Sequence, residues 1–194
     1  MRHCKNILRD DKGITLIELI VCIAILGIVA LLVGGYMKSG SKNYTRGTTL
    51  ATIQKDIQVI TDHIAETMQE CQDIVTITIP IESGDVPGEV NHAYLLKKTS
   101  LAGVLILYKE KARILSRRTI VYTEADLTGT TIESKVESDP DMTDMTKMTE
   151  LSSDTLGFEI TLVTGNANLY SIYMKLGDDE VTTDRKQQVR LRNG

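Results

Sequence analysis

The feature that most constrains this chain is an apolar run over residues 14–37, broken only by Thr15, Glu18, Tyr36 and glycines. From Leu19 to Val33 the thiol of Cys22 is the sole polar side-chain group. As a helix rising about 1.5 Å per residue the run reaches ~36 Å, enough to cross a hydrocarbon core of about 30 Å. No polar face recurs in it, which excludes an amphipathic surface helix. Arg2, Lys5, Arg9 and Lys12 precede it and no basic residue interrupts it until Lys38, so the N-terminus is expected in the cytoplasm and the remainder outside. A secretory signal has a shorter apolar core followed by a small-x-small cleavage site; this core is longer and no clear A-x-A follows it.

Glu18 is the anomaly. A carboxylate at a bilayer centre costs about 2.5–3.5 kcal/mol on insertion scales, and less near an end. One reading is that it simply reaches up to the head groups. Its context supplies another. Lys12, Gly13, Ile14, Thr15, Leu16, Ile17, Glu18 and Leu19, followed by the long apolar run, resemble the N-terminus of type IV pilins and of the pseudopilins of type II secretion and DNA-uptake machines. The resemblance covers residues 12–37, and Ile14 stands where the family most often has Phe. It implies that a membrane prepilin peptidase removes residues 1–13 by cutting between Gly13 and Ile14, then methylates Ile14. A glycine before the scissile bond leaves room for the backbone in a protease site. The new α-amine on Ile14 is largely a cation at neutral pH. In an apolar bundle it needs an anion, which Glu18 can supply within its own chain or to a neighbouring subunit, fixing axial register. Gly27, Gly34 and Gly35 permit close helix packing or local unwinding.

Residues 38–49, "KSGSKNYTRGTT", read locally as a polar linker. Leu50, Ile53, Ile57, Ile60, Ile64, Met68 and Cys71 then recur every three or four residues, the stripe of an amphipathic helix ending near Asp73. The resemblance implies one long helix instead, its first half (14–37) in the membrane and its second half (38–73) on a sheet. His63 flanks the stripe as a boundary residue, not a ligand. From Ile74 the period changes. "IVTITIP", "VLILYKE", "ILSRRTIVYTE", "FEITLVT", "LYSIYMKL" and "QQVRLRN" read as strands, with turns at "TGNAN" and "LGDDE" and a loop at "IESGDVPGEVN". Short connections imply an antiparallel sheet. The expected fold is α+β and pilin-like: a long N-terminal helix packed on an antiparallel β-rich head over residues 74–194.

Charge separates function classes. The net charge is -4, and the leader's +2 leaves -6 on the remainder, which argues against a general nucleic-acid binder. Residues 97–118 carry Lys97, Lys98, Lys109, Lys111, Arg113, Arg117 and Arg118 against Glu110, which suits solvated strand faces, an acidic subunit, or nucleic acid in a DNA-uptake role. Residues 124–154 are acidic and read as an exposed loop, in which Met142, Met145 and Met148 sit three apart. Asp139, Asp141 and Glu150 match three positions of a calcium loop, but Asp144 stands where its turn glycine belongs. Cys22 and Cys71 read as packing residues without a disulfide framework. No nucleophile–base set, P-loop or zinc spacing occurs, so neither an enzyme nor a cofactor is expected.

The expected role is a structural subunit, a minor pilin of a type IV pilus-like filament, stored in the cytoplasmic membrane and assembled with other pilin subunits at the cell surface or across the envelope. The alternatives are a pseudopilin of a secretion or uptake system and, more distantly, a single-pass anchored binding domain in which Glu18 is incidental. The lack of a C-terminal cysteine pair departs from many major pilins. The β-rich end and the final "VRLRN" resemble minor pilins and J-type pseudopilins.

Overall fold

The computed structural model describes residues 15–77, 91–127, 129–139, 147–178 and 180–192. The chain divides into two compact units, Met1–Gly47 and Thr48–Gly194. Helix α1, Leu16–Gln69, runs through the boundary without interruption. Residues 38–49 are therefore helix and not a linker. The reason is local: Thr45 Oγ1 donates to the Ser41 carbonyl at 3.0 Å, and Thr52 Oγ1 donates to the Thr48 carbonyl at 3.0 Å. Hydroxyls that compete for the backbone in other conformations are here satisfied within the helix.

In the first unit every described side chain is exposed, including Leu16 to Met37, and this part of α1 is long and apolar enough to cross a membrane. In the second unit the α1 stripe turns inward. Ile57, Ile64 and Met68 are buried, with Ile53 and Ile60 partly so; the helix ends at Gln69 and not near Asp73, so Cys71, also buried, lies just beyond it. Thr61 lies fully buried in the same seam, its hydroxyl donating to the Ile57 carbonyl at 2.6 Å.

The strands form two antiparallel sheets where the sequence suggested one. The first has the order β1 (Asp73–Ile77), β2 (Asn91–Lys97), β3 (Ala102–Lys109), β4 (Ile114–Val121), β5 (Thr149–Ser152). The second is β6 (Thr155–Leu162), β7 (Leu169–Gly177), β8 (Thr182–Arg190), with "TGNAN" and "LGDDE" at its two turns. One core joins α1 to both sheets. Tyr94, Leu96, Ile106, Tyr108 and Leu115 meet Phe158, Ile172, Met174 and Leu176 there, and Phe158 packs edge-on against Tyr94 and Tyr108.

The five-stranded sheet is also covered on its other face. Ala93, Leu95, Leu105, Leu107 and Ile120 pack with Ile132 and Val136 of a short helix, α2 (Ile132–Ser138). Two covered faces explain why the middle of this sheet reads as continuous apolar runs and not as alternation. Thr131 caps α2, its hydroxyl accepting from the Ser134 N–H at 3.4 Å, and Glu133 is ion-paired with Lys97 of β2 at 2.5 Å. The acidic 124–154 segment is thus partly helix and strand and not wholly an exposed loop.

That ion pair sets a pH response. The hydrogen bond from Lys97 holds the Glu133 carboxyl below its ordinary value of 4.5. A carboxyl with a lowered folded pKa stabilises the fold above its unfolded value, and that stabilisation is lost as pH falls through the lower folded value. Partial exposure keeps the effect small, below about 1 kcal/mol. Amide exchange in α2 is expected to accelerate below about pH 4.5 relative to the rest of the head. In Glu133→Gln it should be faster at neutral pH and lack this acid step. Unchanged exchange in that variant would assign α2 docking to Ile132 and Val136 alone.

Candidate functional site: the start of the long helix

The N-terminal end of α1 is built as a reciprocal cap. The backbone N–H and the hydroxyl of Thr15 both donate to Glu18 Oε2, each at 3.0 Å. The Glu18 N–H is returned to Thr15 Oγ1 at 3.4 Å, and the Leu19 N–H reaches the Thr15 carbonyl at 3.2 Å as the first helical bond. This is the S/T-x-x-E capping box, which satisfies donors that the first turn leaves orphaned. The helix dipole also favours an anion at this end. The sequence pattern was present in Thr15-Leu16-Ile17-Glu18. The sequence reading treated Glu18 only as a charge and missed Thr15 as its partner. Of the predicted site residues, Glu18 stands exposed in the first turn of α1. Gly13 and Ile14 lie outside the described residues. A cut after Gly13 would put the α-amine on the residue next to Thr15, immediately beside the cap.

Other candidates find local roles. His63 contacts the guanidinium of Arg117, linking α1 to β4. Arg185 of β8 pairs with Asp62 at 3.0 Å, and Lys98 pairs with Glu70 at 2.5 Å. His92 stacks on Tyr108 with ring centroids 5.9 Å apart. The seven cations of residues 97–118 all have interaction partners, and Lys109 is buried. Cys71 is fully buried and donates to the Thr67 carbonyl at 3.0 Å; burial pushes its thiol up to about 11, so it remains protonated. Cys22 is exposed on the apolar part of α1. Among the described residues no group of three or more His, Cys, Asp or Glu is placed to hold a metal ion. Asp139 forms the C-cap of α2 and Glu150 lies in β5, while Asp141, Thr143 and Asp144 lie outside the described residues.

The family model for the prokaryotic N-terminal methylation motif matches residues 8–34. The matched stretch contains Gly13, Ile14, the Thr15–Glu18 cap and most of the apolar run. The match supports a likeness to type IV pilins and pseudopilins, confined to this N-terminal segment. No curated protein and no solved structure gives a match.

Proposed function

We propose that this chain is a structural subunit, a minor pilin, of a type IV pilus-like filament. The carrying observation is the methylation-motif match around a capped helix start whose Glu18 carboxylate is exposed. In this reading prepilin peptidase removes residues 1–13 and methylates Ile14. The apolar half of α1 holds the subunit in the cytoplasmic membrane, N-terminus inward, until assembly. Glu18 then pairs with the α-amine of Ile14, and the β-rich head is displayed on the cell surface or across the envelope. The protein's work is assembly and presentation, not catalysis. The β-rich end without a cysteine pair supports a minor subunit and equally fits a J-type pseudopilin, so pull-down of the assembled filament, pilus or secretion machine, separates these two.

The intact mass of the mature protein is expected to show the loss of residues 1–13 and the gain of one N-terminal methyl group. An N-terminus still at Met1, in a host with active prepilin peptidase, would overturn the proposal.

A further inference from the structure

Where α1 leaves the apolar run, one strip of its surface changes chemistry from end to end. Leu31, Leu32, Gly35, Tyr36 and Ser39 line a shallow notch of about 390 Å³. Gly35 forms its floor, and a Cβ placed there would meet nothing within 4 Å. Leu31 and Tyr36, 79% and 80% exposed, flank it. Gly35, Lys38, Ser39 and Lys42 follow one another as i, i+3, i+4 and i+7, so they share one side of the helix. The notch therefore opens onto two ammonium groups and a hydroxyl. From Leu31 to Lys42 the strip is about 16 Å long.

The charge of this pair is available. Lys38 is the first charged residue after Glu18, and both lysines are exposed. No acidic residue occurs between Glu18 and Asp56, so neither lysine has a carboxylate within helical reach. Arg46, one turn further on, has an interaction partner of its own and is not counted with them. The position is that of a membrane boundary. A lysine just beyond an apolar span lays its stem on apolar surface and its ammonium among the head groups, and a tyrosine suits the same layer.

Resting on the membrane-stored subunit of the reading above, we propose that this strip binds an anionic phospholipid in the outer leaflet of the cytoplasmic membrane. Lys38 and Lys42 hold the phosphate and the Ser39 hydroxyl donates to it. One acyl chain lies over Gly35 against Leu31 and Leu32. The apolar notch selects an amphiphile over a free anion, and the two ammonium groups select an anionic head group over a zwitterionic one. Removal of residues 1–13 deletes every Lys and Arg that precedes Lys38. From then on the outer contact sets the depth of the stored helix, and the lipid is left behind when the subunit is withdrawn for assembly.

The test uses the full-length subunit from membranes of a host with prepilin peptidase, freed of lipid in mild detergent and observed by native mass spectrometry. Phosphatidylglycerol is expected to bind roughly tenfold better than phosphatidylcholine of the same acyl chains. The Lys38→Gln, Lys42→Gln double variant should bind phosphatidylglycerol roughly thirtyfold more weakly, a factor corresponding to about 2 kcal/mol. Arg at both positions should restore it. Gly35→Leu, which fills the notch where a Cβ meets nothing, should weaken both lipids. Lys55→Gln, in the second unit, should change neither. Undiminished phosphatidylglycerol binding in the double Gln variant or in Gly35→Leu overturns the site. Equal binding of the two lipids, or displacement of phosphatidylglycerol by inorganic phosphate, overturns it as well. The mass in the same spectra reads processing and keeps the two proposals apart. A processed chain without the preference overturns the lipid site alone. A chain still beginning at Met1 that shows the preference overturns the filament reading alone.

Discussion

Glu18→Val is expected to abolish incorporation into filaments, by about a hundredfold or more, while the protein still inserts in the membrane. Removing a carboxylate makes insertion cheaper, not harder. Two other losses oppose it. The capping box loses its N3 acceptor, a cost of about 1 kcal/mol at the helix start. Within a bundle, the Ile14 α-amine loses its anion, and breaking a buried ion pair costs about 3–5 kcal/mol. At about 1.4 kcal/mol per tenfold, the second loss dominates. Glu18→Gln separates the two, because Gln at this position keeps the cap through its side-chain oxygen but carries no charge. Quantifying variant and wild-type subunits in sheared filaments and in membranes reads both effects. If Glu18→Gln assembles as wild type and Glu18→Val does not, the carboxylate acts through the cap. If both assemble normally, the proposed role of Glu18 is wrong.

The sequence alone does not separate the cap from the charge. A lone charge in an apolar run draws attention to its desolvation, whereas the cap depends on Thr15 three residues earlier. The other gaps have similar causes. The α1 stripe was legible because Ile57, Ile64 and Met68 repeat over several turns. In α2 only Ile132 and Val136 face inward, one pair among acids, and two apolar residues carry no period. Strand β2, "NHAYLLK", was missed because both of its faces are buried, so no alternation marks it. The division into two sheets was invisible for a different reason. It depends on which strand edges meet: the Thr155 N–H, at the start of β6, bonds the Arg113 carbonyl before β4, and among the described strands β6 then pairs with β7 alone. Arg113 itself adopts a left-handed backbone with φ 59°, which nothing in "KARIL" signals.

Gly177→Ala is expected to be among the most destabilising single substitutions in the head. Gly177 closes β7 with φ +144°, a conformation that L residues rarely adopt. A Cβ there would lie 2.2 Å from the Val181 carbonyl oxygen and 2.7 Å from the Thr182 Cα. Both are backbone atoms, so no side-chain rotation relieves the clash and the β7–β8 turn has to move. That movement endangers the Gly177 bond to Asp154 and the two N–H bonds received by Asp178. Strain plus lost hydrogen bonds amount to about 3 kcal/mol or more, or roughly 10 °C in Tm for a head of this size. Gly165, in the β6–β7 turn, is the informative comparison. Its φ is also positive, at +86°, but a Cβ would meet nothing within 4 Å. Gly165→Ala should therefore cost only the conformational preference, about 1 kcal/mol. Thermal unfolding of both variants as full-length protein in the same detergent compares them directly. Equal losses would mean that φ alone sets the cost and that the close approach of Val181 is readily relaxed. A much larger loss for Gly177→Ala would identify the close backbone approach of Val181 and Thr182 as the cause, and the β7–β8 turn as a rigid part of the head.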